Sequence, residues 1–297
     1  MAPQVSTTRA TGKPKGAGRR IHLPAWWLVL PAVALLGAFF AFPVGRIVGD
    51  SLFDGGFGLS HYTALFSDGV TVRVLLRTIL VALAVATVTL LMAYPYAYLM
   101  TIVSPRARAL LMVIVLLPFW TSLMARGFAW VLLLQDNGPI DKLLGLRLMG
   151  TAWAVIVAMA QVLLAFMVLP LYSSMQTIDR RLLSAAASLG AARRSAFLRV
   201  YLPLSVPGIV AGFSLVFILS VGFYVIPALL GSSQQAVVAQ LIQERTSALL
   251  DFAGAGALGT LLLIVTLALL VVVQLAARRG LVGRRGPAPA TAPEGGR

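Results

Sequence analysis

The chain has 297 residues, 59% of them apolar and only 11% charged, with 24 lysines and arginines against 9 acids and a formal net charge of +15. A soluble globule of this size cannot bury so much apolar surface, so the composition excludes a soluble enzyme and requires a membrane protein. No cysteine means no disulfide, thiolate or cysteine metal site, and His22 and His61 are too few and too far apart for a metal centre. The basic residues lie between apolar runs instead of along one groove, which fits membrane topology and argues against nucleic acid as a partner.

In chain order, residues 1–24 are polar, carry Arg9, Lys13, Lys15, Arg19 and Arg20 without apolar periodicity, and read as a disordered tail inside the cell. Ala25–Val44 is the first span, about twenty residues for a ~30 Å hydrocarbon core and too long for a signal-peptide core. Trp26 and Trp27 fall at its head-group level. Residues 45–73, with Asp50, Asp54, Asp68, Gly55, Gly56 and Gly58, form a turn-rich external loop with room for one short helix capped by Ser60. Leu75–Leu99 is the second span, with Pro95 near its inner end, and Ser104–Arg108 is a tight basic loop. Ala109–Leu134, interrupted by Pro118, is the third span; an external turn follows, and Ala152–Met175 is the fourth. Pro207 opens the fifth span, which ends near Leu230, and Gly231–Asp251 is an external amphipathic stretch. The sixth span, Ala253–Ala277, is stopped by Arg278, Arg279, Arg284 and Arg285, and residues 278–297 read as a second disordered tail. Of the 24 basic residues, 17 fall in the segments placed inside, and seven of the 9 acids fall outside. Both asymmetries fit an all-α protein of six transmembrane helices, N-in and C-in, with residues 25–277 as the transmembrane domain.

Between the fourth and fifth spans lies an amphipathic segment with its own arginines. Asp179 caps a short helix, Gly190 supplies a left-handed turn, and a second helix, Ala191 to Leu202, is stopped by Pro203. Leu182, Leu183, Ala186 and Leu189 share one side of the first helix, and Phe197, Val200 and Tyr201 share one side of the second. Such stripes beside Arg193, Arg194 and Arg199 suit a protein partner; a loop lying on lipid head groups has a similar pattern. The stretch LLSAAASLGAARRSAFLRVYLPLSVPGI resembles the EAA loop of ABC-importer permeases, E-A-A-x-x-x-G followed some nine residues later by I-x-L-P. Ala185, Ala186, Gly190, Leu202 and Pro203 match that pattern, and Ser184 stands where the family has glutamate. The resemblance implies a type I ABC-importer permease fold. Its loop, residues 179–203, would seat in an ATPase subunit through Ser184, Ala185, Ala186, Leu189, Gly190, Phe197, Leu202 and Pro203. It also implies a second permease subunit, an external substrate-binding protein, and ATP held by the separate ATPase instead of any cofactor in this chain.

Within the third span, LLPFWTSLMARGFAW at 116–130, followed by DNGPI, resembles permeases of the spermidine/putrescine type. Parts of the stretch are shared by permeases for iron, sulfate and other small solutes. Arg126 lies roughly eight residues from the outer end of this span, about 12 Å deep at 1.5 Å per residue. It either snorkels to the surface or faces the pathway as a gate. An arginine repels a polyamine, so Tyr94, Trp120, Phe128 and Trp130 are the better cation–π candidates, although each also fits an ordinary lipid-facing or core aromatic.

Acids and histidines are missing from all six expected spans, which excludes an intramembrane protease and removes the usual carriers of a coupling ion. No G-x-x-x-x-G-K-[ST] occurs, so this chain does not cradle ATP phosphates itself. Gly254, Gly256 and Gly259 spell G-x-G-x-x-G, but no strand precedes them; like Gly208 and Gly212 they read as helix contacts. The function expected is therefore a non-enzymatic importer permease working by alternating access, with an ATP-independent channel as the alternative outside the class.

Overall fold

The computed structural model describes residues 26–53, 60–179 and 181–282, and the expectations for residues 1–24, for Asp54 to Gly58 and for residues 283–297 lie outside these. Among the described residues the secondary structure is helical, apart from one parallel bridge between Gly150 and Gly231 in which the Gly150 N–H donates to Leu230 O at 3.0 Å. Contacts divide the chain into two units, 1–46 and 47–297. In the first, α1 (Trp26–Leu36) passes through a wide π turn, Gly37–Ala41, into the start of α2 (Phe42–Phe53), and Phe39 and Phe40 are exposed.

The second unit continues with α3 (Ser60–Ser67), α4 (Gly69–Ile102), α5 (Pro105–Leu116), α6 (Leu123–Leu134), α7 (Pro139–Leu144) and α8 (Ala152–Met175). Then come α9 (Arg181–Ser188), α10 (Arg193–Ala196), α11 (Leu202–Val221), α12 (Val225–Leu230), α13 (Val238–Ser247) and α14 (Phe252–Val282). Lipid is as apolar as a leucine side chain, so helices in a bilayer associate through small residues and close packing. That is what α4, α8 and α11 do. Ala86, Ala93 and Ala97 of α4 are fully buried, as are Met159 and Met167 of α8, and Gly208 and Gly212 bring the α11 backbone against Ser174 and Met167 of α8. Leu76, Leu80 and Leu91 on the other side of α4 are exposed, the pattern of a lipid-facing surface.

Five helical segments are long and apolar enough to cross a membrane: Val29–Gly49, Gly69–Ile102, Ala152–Met175, Arg193–Val221 and Phe252–Leu275. The pair Pro105–Trp120 and Leu123–Leu144, bent by 98°, adds a sixth if it counts as one span. The fourth expected span coincides with α8. The others differ in instructive ways. The third is interrupted at Pro118 as expected, but the interruption divides it into two helices: Pro118 lacks an N–H, the chain turns extended at Thr121, and a new helix starts after Ser122. The fifth does not open at Pro207. Its helix runs from Arg193 to Val221, breaks at Gly222 and resumes as the separate α12. The sixth runs past Ala277 to Val282, because arginines are good helix formers and favour a C-terminal helix end.

Polar caps fix the end of the bundle opposite α9 and α10. The Asp68 carboxylate accepts from the Val70 and Thr71 N–H groups (3.0 and 3.2 Å) and from the Thr71 hydroxyl (2.7 Å). The Thr71 hydroxyl, then the backbone donor of Val70, hold its carboxyl below the usual range. A depressed folded-state value contributes stability above the unfolded carboxylate range, and that stability is lost as pH falls through the folded value. The melting temperature of the wild type should therefore exceed that of Asp68→Asn at pH 7, with the gap closing as pH falls below about 4, the ordinary aspartate value. A gap that does not narrow at all as the solution is acidified would show that the carboxylate is not its source. Nearby, the Thr78 hydroxyl donates to Val74 O (2.8 Å) and accepts from the Val238 N–H (2.9 Å), tying α13 to α4.

Candidate docking surface and membrane cavity

At the opposite end of α4, the Asp179 carboxylate accepts from the Arg181 N–H at 2.9 Å and starts α9. The helix ends in a Schellman turn: the Gly190 N–H donates to Ala187 O (2.9 Å), the Ala191 N–H to Ala186 O (3.1 Å), and Gly190 sits at φ +85°. These elements are as expected, but the second helix is not stopped by Pro203. The chain widens into a π turn, Phe197–Tyr201, in which the Leu202 N–H reaches back to Phe197 O. The wider turn relieves the clash between a proline ring and the carbonyl four residues earlier, so the helix passes through Pro203 into α11. The α9–α10 segment is thereby joined to a membrane helix without a hinge.

Side chains in this segment divide into two sets. Leu182, Ala185 and Leu189 are exposed, Leu189 at 89%. Leu183 and Ala186 are half-buried, so the expected single stripe is split. Phe197 likewise turns inward instead of joining a free face, because three tyrosines offer it ring contacts: it stacks on Tyr201 (5.5 Å) and meets Tyr98 and Tyr94 edge-on (5.5 and 6.2 Å). Tyr94 donates to Ser205 Oγ at 3.0 Å, since Ser205 itself donates to Leu202 O. Between the two short helices lies a cavity of about 380 Å³ lined by Tyr98, Leu183, Ser184, Ala187, Arg193 and Phe197. Arg193 is its one charged lining residue, and Ser184 brings no acid to it.

The second feature lies at the break before α6. Arg126 is in the first turn of that helix and lines a cavity of about 250 Å³ with Phe119, Val162, Phe166, Leu219 and Phe223. Its Nε is buried and has no acceptor among the described residues. One turn further on, Trp130 Nε1 donates to Gln161 Oε1 (3.3 Å), so this side of α6 faces α8. Trp120 and Phe128, by contrast, are 78% and 57% exposed, and Tyr94 belongs to the Phe197 cluster. Sequence reasoning missed Gln161, although a lone amide in the middle of an apolar 24-residue helix was a visible signal.

Together these features define a multi-pass helical membrane protein with a rigid surface segment at one end and a polar break among its spans. The sequence profile of the family described as "Binding-protein-dependent transport system inner membrane component" matches residues 56–280. The spermidine/putrescine transport system permease protein PotB of Escherichia coli K12 is 31% identical over 224 residues, 72% of this chain and 81% of the relative. PotB of Haemophilus influenzae is 37% identical over 154 residues, 49% of this chain and 54% of the relative. Two crystal structures of a bacterial ABC transporter that imports alginate, one in complex with alginate pentasaccharide-bound periplasmic protein, give TM-scores of 0.68 and 0.67. They are 18% and 19% identical, cover 86% of this chain and 95% and 94% of theirs, and speak to the fold alone. The chain belongs to the binding-protein-dependent transport system inner membrane component family. It is the permease component of an ABC importer and a multi-pass protein of the inner membrane.

Proposed function

We propose that this permease imports small organic amines of the polyamine type. The observation that carries the reading is the 31% identity to the E. coli spermidine/putrescine permease over 81% of that protein. It has six spans with both termini inside, the bent α5–α6 pair counting as one, and it works with a second permease, two ATPase subunits and an external binding protein. The hinge-free path from α10 through Pro203, with α9 held to it by the Gly190 turn, supports a docking role for Ser184, Ala185, Ala186, Leu189, Gly190, Phe197, Leu202 and Pro203: motion of a seated ATPase would reach α11 directly. Arg126 and Trp130 belong to the pathway, and the exposure of Trp120 and Phe128 suits lipid or the second permease.

Expressed with its cognate subunits in cells that lack amine uptake, the complex should accumulate labelled spermidine or putrescine in an ATP-dependent way, and failure to take up any amine would sink the reading. Topology has its own check. Reporter fusions after Arg108 and Arg199 should report the cytoplasm, and fusions near Asp141 and Glu244 the exterior. An external signal at Arg199 would overturn the orientation and with it the docking role.

A further inference from the structure

We propose that the cavity at the α5–α6 break is a carboxylate-binding site, and that the cargo is an organic amine that also carries a carboxylate. The starting point is the charge balance around Arg126. The Arg126 Nε–H is shut off from water among apolar side chains with no acceptor among the described residues, and an unpaired buried donor forfeits a hydrogen bond. Its lining partners Phe119, Leu123, Val162, Leu163, Phe166, Leu219 and Phe223 offer no acidic group. Four of the described acids are engaged elsewhere: Asp68 caps α4, Asp251 pairs with Arg245 and caps the start of α14, Asp141 accepts from the Asn137 N–H, and Asp179 starts α9.

Snorkelling does not resolve the imbalance. A snorkelling arginine extends along lipid towards water, whereas Arg126 lines an inter-helix cavity and its Nε is buried without an acceptor. The neighbouring Trp130, on the same side of α6, is already pinned to α8. The cavity also has room for more than the water or two that would merely hydrate the charge, since about 250 Å³ compares with about 30 Å³ per liquid water.

Guanidinium pairs best with a planar carboxylate, which accepts two parallel N–H groups. The walls around it are aromatic, with Phe119 and Phe166 in ring contact at 5.1 Å, and aromatic faces attract ammonium. A solute with an ammonium at one end and a carboxylate at the other satisfies both, while a pure polycation meets Arg126 as a like charge. This inference rests on the reading of the chain as an amine-importing permease and narrows its cargo within that class.

The test compares two probes of similar length, labelled 4-aminobutyrate and putrescine, which differ in having a carboxylate at one end. Binding is measured to the purified permease–ATPase complex without binding protein, for wild type, Arg126→Lys and Arg126→Gln, each checked for monodispersity. Wild type should bind 4-aminobutyrate at least 10-fold more tightly than putrescine, Arg126→Lys should keep part of that preference, and Arg126→Gln should lose it. Equal or tighter binding of putrescine by wild type, binding of neither probe at millimolar concentration, or an unchanged preference in Arg126→Gln would overturn the site. Amine uptake by the full complex is read separately. Uptake of putrescine without a carboxylate preference sinks this inference and leaves the amine reading standing; a carboxylate preference in binding without any amine uptake sinks the amine reading and the cargo assignment with it, leaving only the binding site at Arg126.

Discussion

Gly190→Val is expected to leave the permease inserted at its normal level while ATPase co-purification and substrate-stimulated ATP hydrolysis fall several-fold. The reason is backbone geometry alone. Gly190 sits at φ +85° with open space where a Cβ would stand, so no neighbour resists the new side chain; the left-handed conformation does. That conformation costs a residue with a Cβ about 1–2 kcal/mol, and a β-branched one more. A local penalty of about 2 kcal/mol lowers the population of the native turn roughly 30-fold relative to its alternatives. Both turn hydrogen bonds, Gly190 to Ala187 and Ala191 to Ala186, are lost with it, and α9 no longer holds its angle to the helix that runs into α11. Gly190→Asn provides the contrast, since asparagine tolerates this region and should retain most coupling. Ser184→Glu is expected to be tolerated too, because Ser184 is exposed and shares its cavity with Arg193. Unchanged coupling in Gly190→Val at equal expression would remove the docking role from this segment.

Much of this arrangement was legible because it depends on local rules. A largely apolar 24-residue run with threonine before it gives α8 its limits, the Thr151 hydroxyl accepting from the Ala154 N–H. A glycine three residues past the last alanine of a short amphipathic helix gives the left-handed turn. What stayed hidden depends on partners distant in sequence. Pro203 reads as a stop, yet a π turn absorbs it, and that turn brings Phe197 and Tyr201 onto Tyr98, about a hundred residues earlier. The same holds for Phe197 as a surface residue: a periodic stripe identifies a side but not which neighbour covers it. Arg126 was visible as a buried charge, but only the 98° bend and the side chains of α8 and α11 turn it from a snorkelling candidate into a cavity residue. The start of α11 and the end of α14 lie beyond the proline and the arginines that mark them in the sequence, because the helix geometry there tolerates both.

The G-x-x-x-G pair at Gly208 and Gly212 yields the largest expected effect on folding. A Cβ built on Gly208 would stand 2.5 Å from Ser174 Cβ and 3.1 Å from the Pro170 carbonyl oxygen; one on Gly212 would stand 2.7 Å from Met167 Sδ and 3.1 Å from its carbonyl oxygen. The carbonyls are backbone of α8 and cannot rotate away, so either substitution pushes α11 off the helix that forms the buried centre of the bundle. Overpacking of this kind costs about 1–3 kcal/mol, and valine at Gly208 adds two methyls beyond the Cβ that already collides. Gly208→Val should therefore lower both the monodisperse yield and the melting temperature in detergent, with Gly208→Ala in between. Gly222 is the control: nothing lies within 4 Å of its Cβ position, and its φ of −87° is open to any residue, so Gly222→Ala should melt as wild type does. The compensating change is Ser174→Gly, which removes the nearest colliding atoms and should recover part of the loss in Gly208→Ala but little in Gly208→Val, where the Pro170 carbonyl still obstructs. Wild-type stability of Gly208→Val, or a Ser174→Gly partner that fails to rescue Gly208→Ala, would mean that α8 and α11 do not meet through these glycines.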